Sequence, residues 1–107
     1  MSHNVIVLPE AKDDLVEIYL HVAECDSIGK ADALLGKLEE RCLSLGSSPE
    51  RGHVVPELKR IHVEGFREVH FKPYRFIYQV ISKKVYIHAV LDGRRELQEL
   101  LERRVLR

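Results

Sequence analysis

Arginine is the residue type whose placement suggests chemistry in this chain. Arg67 and Arg75 open two successive runs of β-type residues, and the Arg94-Arg95 pair follows a third. A guanidinium stays charged at any relevant pH and offers planar, bidentate hydrogen bonds to phosphate or carboxylate, which suits RNA backbone or an acidic peptide. Lys72, Lys83 and Lys84 sit at the intervening turns. His70 and His88 lie in the same β runs, where a neutral imidazole facing solvent would be an acid–base group. The alternative is plainer: a solvated basic face with ion pairs to Glu64, Glu68 and Glu96, and histidines that are simply surface residues on strands.

Other chemistries lack their spacing. The six histidines form no HxxxH or HExxH pair, so no metal site is expected, and no serine sits in a GxSxG elbow. The six glycines make neither GxGxxG nor GxxxxGK, leaving nucleotide chemistry no seat, and no cofactor is expected. Cys25 and Cys42 form no CxxC motif and read as small core fillers.

The elements that must position the arginines follow from periodicity. Val5 to Leu8 is an apolar run ended by Pro9, a buried strand leading into a helix from about Pro9 to Ala23. Ala11, Leu15, Ile18, Tyr19 and Val22 form its apolar stripe, with Lys12, Asp13, Asp14 and Glu17 opposite. Ser27 can cap a second helix carrying Ala31, Leu34, Leu35, Leu38, Cys42 and Leu45 on one face, which Gly46-Ser47-Ser48-Pro49 ends. Phe66–Phe71, Tyr74–Ile81 and Lys84–Leu91 then read as a three-stranded antiparallel meander. In the last run Val85, Ile87, Ala89 and Leu91 alternate with Tyr86, His88 and Val90, which would put one set on the core. Leu97, Leu100, Leu101 and Val105 mark a final amphipathic helix of about three turns. The order β-α-α-β-β-β-α implies an α+β fold: an antiparallel twisted sheet with a helical hairpin on one face, a C-terminal amphipathic helix, and a partly open second face bearing Arg and His.

At 107 residues the chain is read as a single domain over 1–107, and 45% hydrophobic with 32% charged residues is the composition of a soluble globular protein. No run is long and apolar enough to span a bilayer and no signal peptide opens the chain, so a cytoplasmic protein without membrane partners is expected. The formal net charge of zero hides an asymmetry. Residues 1–58 hold 5 Lys/Arg against 11 Asp/Glu, and residues 59–107 hold 12 against 6, balances of −6 and +6. A basic half implies an acidic partner.

Four segments in order, AKDDLVEIYLHVA, SSPERG, FREVHFKPYRFIYQV and VYIHAVLDGRREL, resemble the RelE/ParE toxin superfamily of type II toxin-antitoxin, plasmid-stabilisation systems across nearly the whole chain. The resemblance implies a growth-inhibiting toxin neutralised by a cognate antitoxin, part of which folds over the toxin, in a complex that could include a homodimer or a hetero-tetramer. Antitoxin- or target-binding residues would be Arg67, Lys72, Arg75, Tyr78, Arg94 and Arg95. One branch cleaves mRNA on the ribosome. On its pattern Arg75 would stabilise the transition state, Arg94 or Arg95 would contact a second phosphate, and His70 or His88 would be acid–base groups. This chain departs from that branch: Leu101 stands where a tyrosine is frequent, and Arg67, Glu68 and His70 replace a lysine pair. The ParE branch, which binds DNA gyrase and needs no nuclease set, is the closer resemblance. A non-toxic binding module is the third reading.

Overall fold

The computed structural model describes residues 2–106, in the order β1 (Asn4–Val7), α1 (Pro9–Cys25), α2 (Ile28–Ser44), β2 (His53–Val54), α3 (Pro56–Lys59), β3 (Phe66–Phe71), β4 (Tyr74–Ile81), β5 (Lys84–Asp92) and α4 (Gln98–Val105). Pro9 starts α1 because its missing N–H is one that no helix start can satisfy internally. Ser27 caps α2, its hydroxyl accepting from the Lys30 amide at 3.1 Å. The sheet order is β1-β5-β4-β3-β2.

The sheet is mixed, which corrects the expectation of a wholly antiparallel one. The meander β3-β4-β5 is antiparallel, but β1 runs parallel to β5, Val5 opposite Val85 and Val7 opposite Ile87. The helical hairpin and the strands β2 to β4 separate the two strands in sequence, a long crossover that permits a parallel pairing, which no tight turn could do. At an edge, β1 is half-buried and not the buried strand its apolar run suggests. The two-residue β2 and the short α3 went unforeseen. They carry no periodicity: β2 exists because β3 pairs with His53 and Val54, and α3 is held by the burial of Leu58.

Both faces of the sheet are covered. The hairpin α1-α2 packs Ala11, Leu15, Leu38, Cys42 and Leu45 against Phe76, Tyr78, Val85, Ile87 and Val90 on one face. On the other, Val55 and Leu58 of the β2–α3 segment and Leu97 and Leu101 beside and within α4 pack against Ile77, Ala89 and Leu91. The partly open second face is therefore corrected to one largely closed by α3 and α4. Burying Leu97 and Leu101 fully, at roughly 1.5–3 kcal/mol for each such side chain, is what holds so short an α4, about two turns long, in place.

The simple alternation expected along β5 also fails, for a local reason. Ile77 faces Ala89 while Tyr78 faces Ile87, leaving His88 as an extra residue. This β-bulge switches the strand's faces, so Val90 joins Val85 and Ile87 while Ala89 and Leu91 cross to the α4 side. A bulge exposes backbone groups that must be satisfied. Asp14 accepts from the Val90 amide at 3.0 Å, and Arg104 donates to the His88 carbonyl at 3.1 Å while gripping Asp14 at 2.6 and 2.8 Å. Asp14 is thus buried, not on the solvated face of α1. Cys42 is buried as expected, and Cys25 is exposed.

Candidate functional site

The register of β3 and β4 puts His70 opposite Arg75 and Glu68 opposite Ile77, so Glu68, His70 and Arg75 share the α3 side of the sheet. The stem of Arg75 passes under Gly93, where a Cβ would lie 2.9 Å from the Arg75 Cγ and Cδ. Its guanidinium then meets two carboxylates. Nε and Nη2 donate to Glu68 at 2.7 and 2.8 Å, and Nη1 and Nη2 donate to Glu57 of α3 at 2.7 Å each. Four of a guanidinium's five N–H groups are committed in this way. Glu68 is 1% exposed and also accepts from His70 Nε2 at 2.6 Å. The Arg75 hydrogen bonds hold the Glu57 carboxyl below its usual range against the opposing effect of burial, and the two carboxylates push Arg75 further up.

Tyr78 and Arg67, cross-strand partners, face the hairpin side and fasten the loop after α2. The Tyr78 hydroxyl donates to the Pro49 carbonyl at 2.7 Å and accepts from the Gly52 amide at 3.0 Å. Arg67 Nη1 donates to the Gly52 and Glu50 carbonyls at 3.0 and 3.3 Å. Gly52 is required here, since a Cβ would run into the Tyr78 hydroxyl and stand 2.9 Å from the Glu68 carbonyl oxygen. Burial raises the Tyr78 phenol pKa.

The basic platform expected from sequence is therefore corrected. Arg75 is paired inside the protein and Tyr78 is wholly buried, so neither presents itself to a macromolecule. Lys72, Arg94 and Arg95 are exposed at one end of the sheet, because Tyr74 pairs with Asp92 and the Gly93 amide donates to the Pro73 carbonyl. Arg94 makes two hydrogen bonds to Asp92 at 2.7 and 3.0 Å, which lowers the Asp92 pKa to about 2. His88 is half-buried, its ring edge-on to Phe66 at 4.9 Å and 3.2 Å from Gln79 Oε1. Burial, and then the charge of Arg104, lower its pKa, so the imidazole is neutral at pH 7.

Glu57, Asp14 and Arg104 escaped the sequence reading. Glu57 has no signal until α3 exists, and Asp14 and Arg104 are 90 residues apart. Only the E-x-H spacing of Glu68 and His70, which puts both on one face of a strand, was readable. A second surface lies on the helical hairpin. Val7, Leu15, Val16, Tyr19, Leu35 and Leu43 line an open apolar groove of about 460 Å³ at the β1 edge of the sheet, with Val16 and Leu43 more than half exposed. Among the described residues no helix is long and apolar enough to cross a membrane.

Two solved structures share the fold. A toxin-antitoxin chain from the chromosomal ParDE system of P. aeruginosa superposes with a TM-score of 0.72 at 20% identity, over 85% of this chain and 96% of that one. A chain of the RelBE2 toxin-antitoxin complex of Mycobacterium tuberculosis gives a TM-score of 0.65 at 19% identity, over 86% and 99%. No curated protein matches the sequence. Residues 5–97, from within β1 to the residue before α4, match the family described as ParE toxin of type II toxin-antitoxin system, parDE, and the chain belongs to that family.

Proposed function

We propose that this toxin inhibits growth by binding a protein target of the DNA gyrase type and does not cleave mRNA. The observation that carries the reading is the fourfold hydrogen bonding of Arg75 to Glu57 and Glu68. In an RNA-cleaving relative the corresponding arginine would meet the scissile phosphate. Here that charge is already matched by two carboxylates, and a phosphate brought beside them would be repelled. His70 is occupied by the same Glu68. His88 faces Gln79 and Phe66, not a second catalytic group.

What remains for binding is the exposed end of the sheet with Lys72, Arg94 and Arg95; Arg67, partly engaged with the loop after α2, lies toward the other end of β3. A cognate antitoxin has a second surface available in the apolar groove on the hairpin, where an amphipathic segment would cover Val16 and Leu43. The hairpin helices carry four of the exposed large apolar side chains, Val16, Leu20, Ile28 and Leu43.

Purified protein added to a gyrase supercoiling assay should inhibit in a dose-dependent way and be relieved by the antitoxin, with R94A/R95A weakening the inhibition. No inhibition at micromolar excess removes the reading. So does the appearance of new 5′ ends within translated codons when mRNA from expressing cells is mapped by primer extension.

A further inference from the structure

We propose that His53, Glu68 and His70 form a binding site for a divalent transition-metal ion of the zinc type. The inference is independent of the toxin's target. The register of β2 and β3 sets His53 directly opposite Glu68, and His70, two residues further along β3, projects from the same face. The result is two imidazoles and a carboxylate whose ligand atoms all lie within 4.8 Å of one another. The two rings stand edge to face, centroids 5.2 Å apart.

Each ligand is prepared for the role. His53 Nδ1 lies 3.1 Å from the Val54 carbonyl oxygen, an acceptor only, so the proton resides on Nδ1 and Nε2 keeps its lone pair for a metal. Glu68 is buried and its carboxylate is oriented by Arg75, as outer hydrogen bonds orient metal-binding carboxylates. His53 and His70 are exposed, which gives an ion a path from solvent. Glu57, Glu68 and Arg75 together leave one net negative charge beneath the site. Arg41 and Arg51, which line the same pocket, are directed elsewhere, Arg41 over the Phe71 ring and Arg51 onto the Ser44 hydroxyl.

Two histidines and one carboxylate make a donor set that zinc favours, with a fourth position left for water. Metal–ligand bonds of about 2.0–2.1 Å in a tetrahedron separate ligands by about 3.3 Å, so His70 would carry its ring proton on Nδ1 and Nε2 would move from 2.6 Å to that distance from Glu68 Oε1. A bound ion would pin the two-residue β2 to β3 and would stabilise the fold by mass action. The absence of helical HxxxH spacing says nothing against such a site, because its ligands come from two paired strands.

The test is calorimetric titration of zinc chloride into the purified full chain. One equivalent should bind, and His53→Ala and His70→Ala should each weaken binding by at least about tenfold, as even the loss of an outer-sphere partner costs 10–100-fold. Both positions are exposed, and circular dichroism confirms that the variants fold; His53→Gln stands in if His53→Ala does not. His21 and Cys25, 3.7 Å apart on α1, are the competing donors. The H21A/C25S variant should bind zinc as the parent does, and cobalt(II) bound in place of zinc should show no thiolate charge-transfer band. No saturable binding overturns the proposal, as does full affinity in H53A/H70A or loss of binding in H21A/C25S.

Discussion

Arg75 and Arg94 are the same side chain making bidentate contacts to a carboxylate, yet they occupy opposite physical regimes. The Arg75 side chain is 12% exposed and its partners Glu57 and Glu68 are 12% and 1% exposed, whereas Arg94 is 75% exposed and Asp92 26%. In a poorly solvated site neither charge can do without the other, so the group is structural and its charge is spent inside the protein. At the surface water competes for both partners, the pair contributes little to folding, and the guanidinium remains available to another molecule. Cation position in the sequence is thus a poor guide to a binding surface. Part of the opposed charge of the two halves serves folding, since acidic residues of the first half, Glu57 and Asp14, meet arginines of the second, Arg75 and Arg104.

The sharpest way to break this comparison is Arg75→Ala. Leaving Glu57 and Glu68 without their cation should cost about 3–5 kcal/mol, as breaking one side of a buried pair does. Urea unfolding at pH 7 measures it, and a loss below about 1 kcal/mol would place Arg75 in the same class as exposed pairs.

A smaller effect should come from His88, the extra residue of the bulge. Its pKa is lowered in the folded protein, so below about pH 6.5 the unfolded chain binds more protons than the native state, and stability falls as the pH drops. The urea midpoint should therefore decline as the pH falls below about 6.5, and His88→Gln should remove that part of the slope. An identical slope in the variant would assign the decline to other groups.

The smallest expected change is that of Arg94→Ala, whose urea midpoint at pH 7 should fall only slightly below the parent's, since water competes for both partners. The difference should vanish in acid. Asp92, held at about 2 by Arg94 from an ordinary 3.8, contributes stability above its unfolded pKa and loses it as the pH falls through that interval, and the variant lacks this component. A loss at neutral pH as large as that of Arg75→Ala would contradict the assignment of Arg94 to the surface.

The last helix adds a contrast of its own. The family match ends at Leu97, and α4, which follows it, closes the second sheet face with Leu101 and supplies Arg104 to the β5 bulge. This chain therefore satisfies a backbone irregularity inside the matched region with a side chain from outside it.

Read alone, the sequence determined the local elements. The stripes of α1 and α2, the Ser27 cap and three meander strands are set by interactions between residues two to four apart, and periodicity records those directly. The resemblance in SSPERG and FREVHFKPYRFIYQV was legible too, although it took the structure to show that Pro49, Gly52, Arg67 and Tyr78 form one fastening between loop and sheet. Only the tertiary structure decided that β1 runs parallel at an edge, that His88 is a bulge, that Arg75 is consumed by Glu57 and Glu68, and that His53 stands opposite Glu68. Each of these joins residues distant in the chain through packing or charge. A one-dimensional pattern has no term for such pairings, because their free energy appears only when the sheet brings the partners together and removes water from between them.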